Sequence, residues 1–148
     1  FAFQILVSFL FGVSFILLGY LAQLSTSKWV LPTEWTTLAL AAGAEAPDPF
    51  NLEGVITIAG VAFGFTAGFA WWRNKFGVYE IRCSSVKKLA RYTFGLMGIV
   101  VLYFGLKLVF PEEPLLVGGT FRFIRYTLIG MWVTFIAPWF FRLLHLER

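Results

Sequence analysis

The sequence predicts an all-α integral membrane protein: four transmembrane helices at about 1–24, 54–72, 89–110 and 121–144, plus a short interfacial helix at about 33–44. Three observations lead there. Of 148 residues, 59% are hydrophobic and only 14% charged, with a mean hydropathy of +0.78. A soluble domain carries about 25% charged residues, so this chain cannot cover a water-facing surface of its size. Each of the four apolar runs is long enough to cross the roughly 30 Å hydrocarbon core as a helix. Small residues recur at helical spacing inside those runs, which permits close helix approach where lipid removes the hydrophobic drive between helices. The expected organisation is one helical transmembrane domain over 1–148.

The first run is rich in Phe, Leu, Ile and Val, with Ser8, Gly12 and Gly19 forming a small-residue stripe. It lacks the charged start and short apolar region of a cleavable signal peptide, so it reads as a retained helix. The chain opens on Phe1 rather than Met, and the expectation is processing or a piece of a longer product. Trp29 and Trp35 fit interface anchors. Pro32-Thr33-Glu34 can open the short helix, with Thr33 as its cap. That helix is too short to span and is expected to lie at the membrane surface. Ala46-Pro47-Asp48-Pro49 stops it. Glu34, Glu45, Asp48 and Glu53 make this first loop acidic, and they read as solvated carboxylates rather than an acid–base pair.

The second run, 54–72, has no charge over 19 residues. Gly60, Gly64 and Gly68 recur every four residues and stack on one helix face, so this is the helix onto which the others are expected to pack. Trp71, Trp72 and Arg73 mark a membrane–water boundary. The following loop holds Arg73, Lys75, Arg82, Lys87 and Lys88 against Glu80 alone, a balance that also attracts anionic lipid at about 1 kcal/mol per basic residue. Val78 to Ile81 reads as a short extended piece. Ser84 and Ser85 can cap the helix that follows. Cys83 is the only cysteine, which excludes a disulfide within the chain; it reads as a reduced thiol, with palmitoylation as the alternative.

In the third run Gly95, Gly98 and Gly105 fall near one face, and Lys107 can extend its stem to the interface. Residues 111–120 read as a tight turn in which Glu112 and Glu113 pair with Lys107, Arg122 and Arg125; the functional alternative is a basic niche for a lipid phosphate. In the fourth run Thr127, Gly130, Thr134 and Pro138 share one side. Pro138 lacks an N–H and should kink the helix near Thr134.

Four spans alternate sides. The second loop and the C-terminal tail are basic, so both ends are expected in the cytoplasm, in the inner (plasma) membrane. The lipid-headgroup candidates are Lys107, Arg122, Arg125, Arg73, Lys75, Lys87 and Lys88. The helix-packing candidates are Gly60, Gly64, Gly68, Gly95, Gly98 and Gly130. Chemistry is scarce. His145 is the only histidine and lies in the tail, so a two-histidine metal site or paired haem ligation is not available from this chain alone. No catalytic residue, metal or cofactor is assigned. The basic residues flank apolar runs, which points to lipid and not to nucleic acid.

Residues 91–146 carry a resemblance. They read Arg-Tyr-Thr-Phe-Gly-Leu at 91–96, Tyr-Phe-Gly-Leu-Lys-Leu-Val-Phe-Pro at 103–111, and Phe-Ile-Arg-Tyr-Thr-Leu-Ile-Gly-Met-Trp from 123, ending in Ala-Pro-Trp-Phe-Phe-Arg-Leu at 137–143. With Leu31 to Trp35, the linker Asp48 to Gly54 and the Gly60/Gly64/Gly68 helix, this resembles the C-terminal membrane extension of bacterial type 2 phosphatidic acid phosphatases. That family's signatures are a Lys with Arg-Pro, a Pro-Ser-Gly-His, and a Ser-Arg followed by His and Asp. None occurs in this sequence, so the resemblance implies a non-catalytic region packed against other transmembrane helices of a parent protein. It also implies cytoplasmic ends and an active site on the opposite side. Two other readings stay open: a small accessory subunit of a photosynthetic or respiratory complex, contacting lipid or pigment, and a transporter, which the scarcity of intramembrane charge disfavours.

Overall fold

The computed structural model describes residues 1–79, 84–110 and 115–146, with the side chains of Leu115 and Leu116 left out. The expectations for Glu80, Ile81 and Cys83, and for Glu112 and Glu113, lie outside the described residues. The chain forms α1 (Ala2–Thr26), α2 (Thr33–Ala41), α3 (Glu53–Phe76), α4 (Ser85–Val109), α5 (Leu115–Met131), a π-helical turn (Trp132–Ile136) and α6 (Ala137–Leu143). No strand occurs among the described residues. Four helical stretches are long and apolar enough to cross a membrane: α1, α3, α4 and the continuous rod from Val117 to Leu143. This is a multi-pass membrane protein.

α3 is the hub. α1 packs along one side of it and the α5–π–α6 rod along another, while α4 packs only on that rod. α2 packs on no other helix. The buried apolar core is Ala59, Ala67, Trp72 and Ala137, mostly small side chains. Large side chains such as Phe3, Leu18, Leu89 and Val101 point outward, as they do where lipid is the solvent.

Close backbone approach explains the seams. A methyl group on Gly60 would stand 2.7 Å from the Phe123 carbonyl oxygen, and one on Gly130 would stand 2.7 Å from the Val61 carbonyl oxygen. On Gly64 it would run into the backbone of Thr127, and on Gly68 into the Thr134 hydroxyl. On the other side of the hub, Gly12 faces Ala59 and Phe63, and Gly19 faces Val55. On α4, Gly98 lies directly under the Trp132 indole, whose Nε1–H donates to the Gly95 carbonyl at 2.9 Å. A methyl group on Gly95 would meet only ordinary contact, and one on Gly105 would meet nothing.

Several boundaries differ from the sequence reading. α4 begins at Ser85, because Ser84 caps it with its Oγ facing the Lys87 N–H at 3.5 Å. α5 begins at Leu115, so the second half of the expected 111–120 turn is helix. Gly118 and Gly119, inside the expected turn, sit on a packed helix where tertiary contact outweighs propensity. Thr33 is not a cap: it is the first helical residue of α2, and Pro32 occupies the cap position.

The fourth rod departs from regular α-helix next to Pro138, where the sequence predicts a distortion. The π turn Trp132–Ile136 precedes the proline, and the Ala137 N–H reaches back to the Trp132 carbonyl. α6 then ends in a Schellman motif. The Leu146 N–H donates to the Phe141 carbonyl at 2.8 Å and the His145 N–H to the Arg142 carbonyl at 3.2 Å. His145 takes the left-handed position, φ 53°, that such a cap requires.

Candidate functional site

The charged residues gather at the two ends of the bundle. At the basic-loop end, Arg73, Lys75 and Lys88 are exposed. Lys75 and Arg142 flank the Phe76 ring, their charges 5.5 and 4.7 Å from its centroid. Lys87 Nζ donates to the His145 carbonyl at 3.0 Å, and Arg91 Nε donates to the Leu146 carbonyl at 2.9 Å. These two bonds tie the C-terminal tail to α4. His145 is thereby a capping residue whose backbone does the structural work.

At the acidic-loop end, the 48–53 linker, α1, α3 and α5 enclose a groove of about 770 Å³. Its size falls within the ~300–1,000 Å³ of ligand pockets. The linker is shaped by its own side chains: Asp48 Oδ1 accepts the Phe50 N–H at 3.0 Å, and Asn51 Oδ1 accepts the Glu53 N–H at 2.7 Å. Gln23 of α1 holds the linker down, its Nε2 donating to the Phe50 carbonyl at 3.0 Å. Glu53 opens α3 and pairs with Arg122 of α5, carboxylate to guanidinium at 2.7 Å. Glu53 is therefore not the freely solvated loop carboxylate that the sequence reading expected.

Arg125 lies one turn further along α5 and also lines the groove. It is only 5% exposed. Its guanidinium lies 5.2 Å from the centroid of the Tyr126 ring and 5.8 Å from that of Tyr103. Its Nε is buried with no hydrogen-bond partner, and no carboxylate among the described residues pairs with the group. Of the headgroup candidates at this end, Arg122 and Arg125 come together in the groove, while Lys107 is exposed on α4 and does not line it. The groove's apolar wall comes from α1, where Phe9, Val13 and Ile16 share one face. Sequence reading missed that wall and the Gln23 clamp. The only available signal was the spacing of residues 9, 13, 16 and 23, which any lipid-facing stripe would share.

Among the described residues no group of three His, Cys, Asp or Glu is placed to hold a metal ion. The fold and its grooves define a polytopic helical membrane protein organised on one glycine-faced helix. The pattern of the PAP2 superfamily phosphatase, transmembrane extension, matches residues 56–148, well over half of the chain, and the chain belongs to that family. No curated protein and no solved structure matches it.

Proposed function

We propose that this chain is the non-catalytic transmembrane region of a phosphatidic acid phosphatase-like membrane protein. The histidines and the acid that act on phosphorus would then come from polypeptide outside these 148 residues. The observation that carries this reading is the seam between α3 and α5, inside the family-matched region. Gly60, Gly64 and Gly130 bring two backbones together there, with backbone atoms and the Tyr126 Cβ nearest to them. Such a seam makes a rigid platform, and other transmembrane helices can pack on its outer faces. The exposed apolar faces of α1 and α4 fit either lipid or those helices. We place both ends of the chain in the cytoplasm of a bacterial inner membrane. Arg73, Lys75 and Lys88 would then meet anionic headgroups on the cytoplasmic leaflet. The family match lends the accessory-subunit alternative no support.

The test is hydrolysis of a lipid phosphomonoester by the purified 148-residue chain in mixed micelles. The expected rate equals that of chain-free micelles. Sustained turnover well above that background would overturn the non-catalytic reading.

A further inference from the structure

We infer that the groove between α1, α3 and α5 holds one anionic phospholipid, with its phosphate on the Arg125 guanidinium and an acyl chain along Phe9, Val13 and Ile16. This does not depend on the non-catalytic reading above. Half of the groove's described lining residues, including that stripe and Glu53, lie outside the family-matched residues 56–148.

The charge inventory comes first. Among the described residues, four ionisable side chains line the groove: Asp48, Glu53, Arg122 and Arg125. Glu53 and Arg122 satisfy each other at 2.7 Å. Asp48 is exposed at the mouth and accepts the Phe50 N–H. Arg125 is left as the cation with no counter-ion among the described residues, and it is buried. A guanidinium buried in the bundle is costly unless an anion joins it. Tyr103 and Tyr126 stabilise the cation without neutralising it.

The shape of the groove then selects the anion's carrier. The apolar stripe from Phe9 to Ile16 spans seven residues of α1, about 10 Å. Half of the hydrocarbon core is about 15 Å, so the stripe can line most of one leaflet's acyl chain. An inorganic anion would use Arg125 and leave that wall wet. The anion that a bilayer supplies in quantity is lipid phosphate, and the guanidinium fork fits two of its oxygens. A zwitterionic lipid would bring its own cation beside Arg122 and Arg125, where like charges repel.

Native mass spectrometry of the purified chain in neutral detergent tests this, with phosphatidylglycerol, phosphatidylcholine and inorganic phosphate as probes. The wild-type chain is expected to retain one phosphatidylglycerol about tenfold more strongly than phosphatidylcholine, the size of one charge-assisted contact. Excess inorganic phosphate is expected to leave that lipid in place. R125Q should bring phosphatidylglycerol down to the phosphatidylcholine level. Because R125Q can also perturb folding, V13W provides a second arm: it keeps the cation, fills the apolar wall, and should lower retention of the anionic lipid. Circular dichroism checks that each variant keeps its helix content. Equal retention of the two lipids by wild type, unchanged selectivity in folded R125Q and V13W, or full displacement by inorganic phosphate would each overturn the proposal.

Discussion

The Tyr79 hydroxyl donates to the backbone carbonyl of Thr134. In an α-helix that carbonyl would accept the N–H of residue 138, but residue 138 is proline and has none. The loop after α3 thus supplies a donor that the fourth rod lacks, at the point where the rod widens into its π turn. Tyr79 is wedged there by stacking on Trp72, ring centroids 4.9 Å apart. Trp72 is itself among the few large side chains that are buried.

Y79F should therefore lower the stability of the detergent-solubilised chain by about 1 kcal/mol, the net value of one hydrogen bond. P138A restores a donor inside the rod, so Y79F should cost less in that background. A double-mutant cycle by thermal unfolding measures the difference, and a coupling within error of zero would show that the two residues act separately.

The same contact sets a pH dependence. Burial pushes the Tyr79 hydroxyl up to about 12 from its usual 10. Between those values the unfolded chain has released this proton and the folded chain has kept it, so rising pH favours unfolding. The contribution of Tyr79 is complete below pH 10 and is lost as pH climbs through 12. Other groups titrate in that range, so the reading is a comparison: Y79F should show a shallower fall in melting temperature between pH 10 and 12 than wild type.

Gly64 and Gly105 should respond oppositely to alanine. At Gly64 the new methyl group meets the Thr127 backbone, which cannot move without parting α3 from α5. Overpacking of this kind costs about 1–3 kcal/mol. At Gly105 the methyl group meets nothing, and helix propensity alone favours alanine by up to about 1 kcal/mol. Melting temperatures of G64A and G105A decide it, and a fall of equal size in both would mean that the seam is not what the Gly64 change disturbs.

His145 is a non-glycine residue at φ 53°, in the position of the α6 cap where glycine is the favoured occupant. H145G should relieve that strain and stabilise the chain by about 1 kcal/mol, a gain that thermal unfolding would register. Among the described residues the exposed imidazole makes no hydrogen bond or ion pair, and the carbonyl that accepts from Lys87 Nζ is kept.

What the sequence made legible was whatever repeats along a single helix. The four spans, the Gly60/Gly64/Gly68 face, the Ser84 cap and the Pro138 distortion all follow from spacings of three and four or from one residue's covalent chemistry. What stayed hidden joins distant parts of the chain. Arg122 meets Glu53 at the start of α3, a carboxylate far from it in sequence. Tyr79 carried no signal that it would serve Thr134. Residues 115–120 looked like a turn, since glycine and threonine favour one locally; packing of Gly119 near Ile56 keeps them helical. The burial of Arg125 was equally unreadable, because the positions of Tyr103 and the α1 wall depend on how the helices are arranged in space.

The central claim is that α3 crosses the membrane and sets the acidic and basic loops on opposite faces. Lys28 follows α1 and Lys88 lies in the first turn of α4, both exposed, with one crossing between them. In a Cys83→Ser background, Lys28→Cys and Lys88→Cys would each be treated with a membrane-impermeant maleimide in sealed, right-side-out cells. Cysteine at 28 should label at once, and cysteine at 88 only after the membrane is permeabilised. Labelling of both positions in sealed cells would contradict the claim.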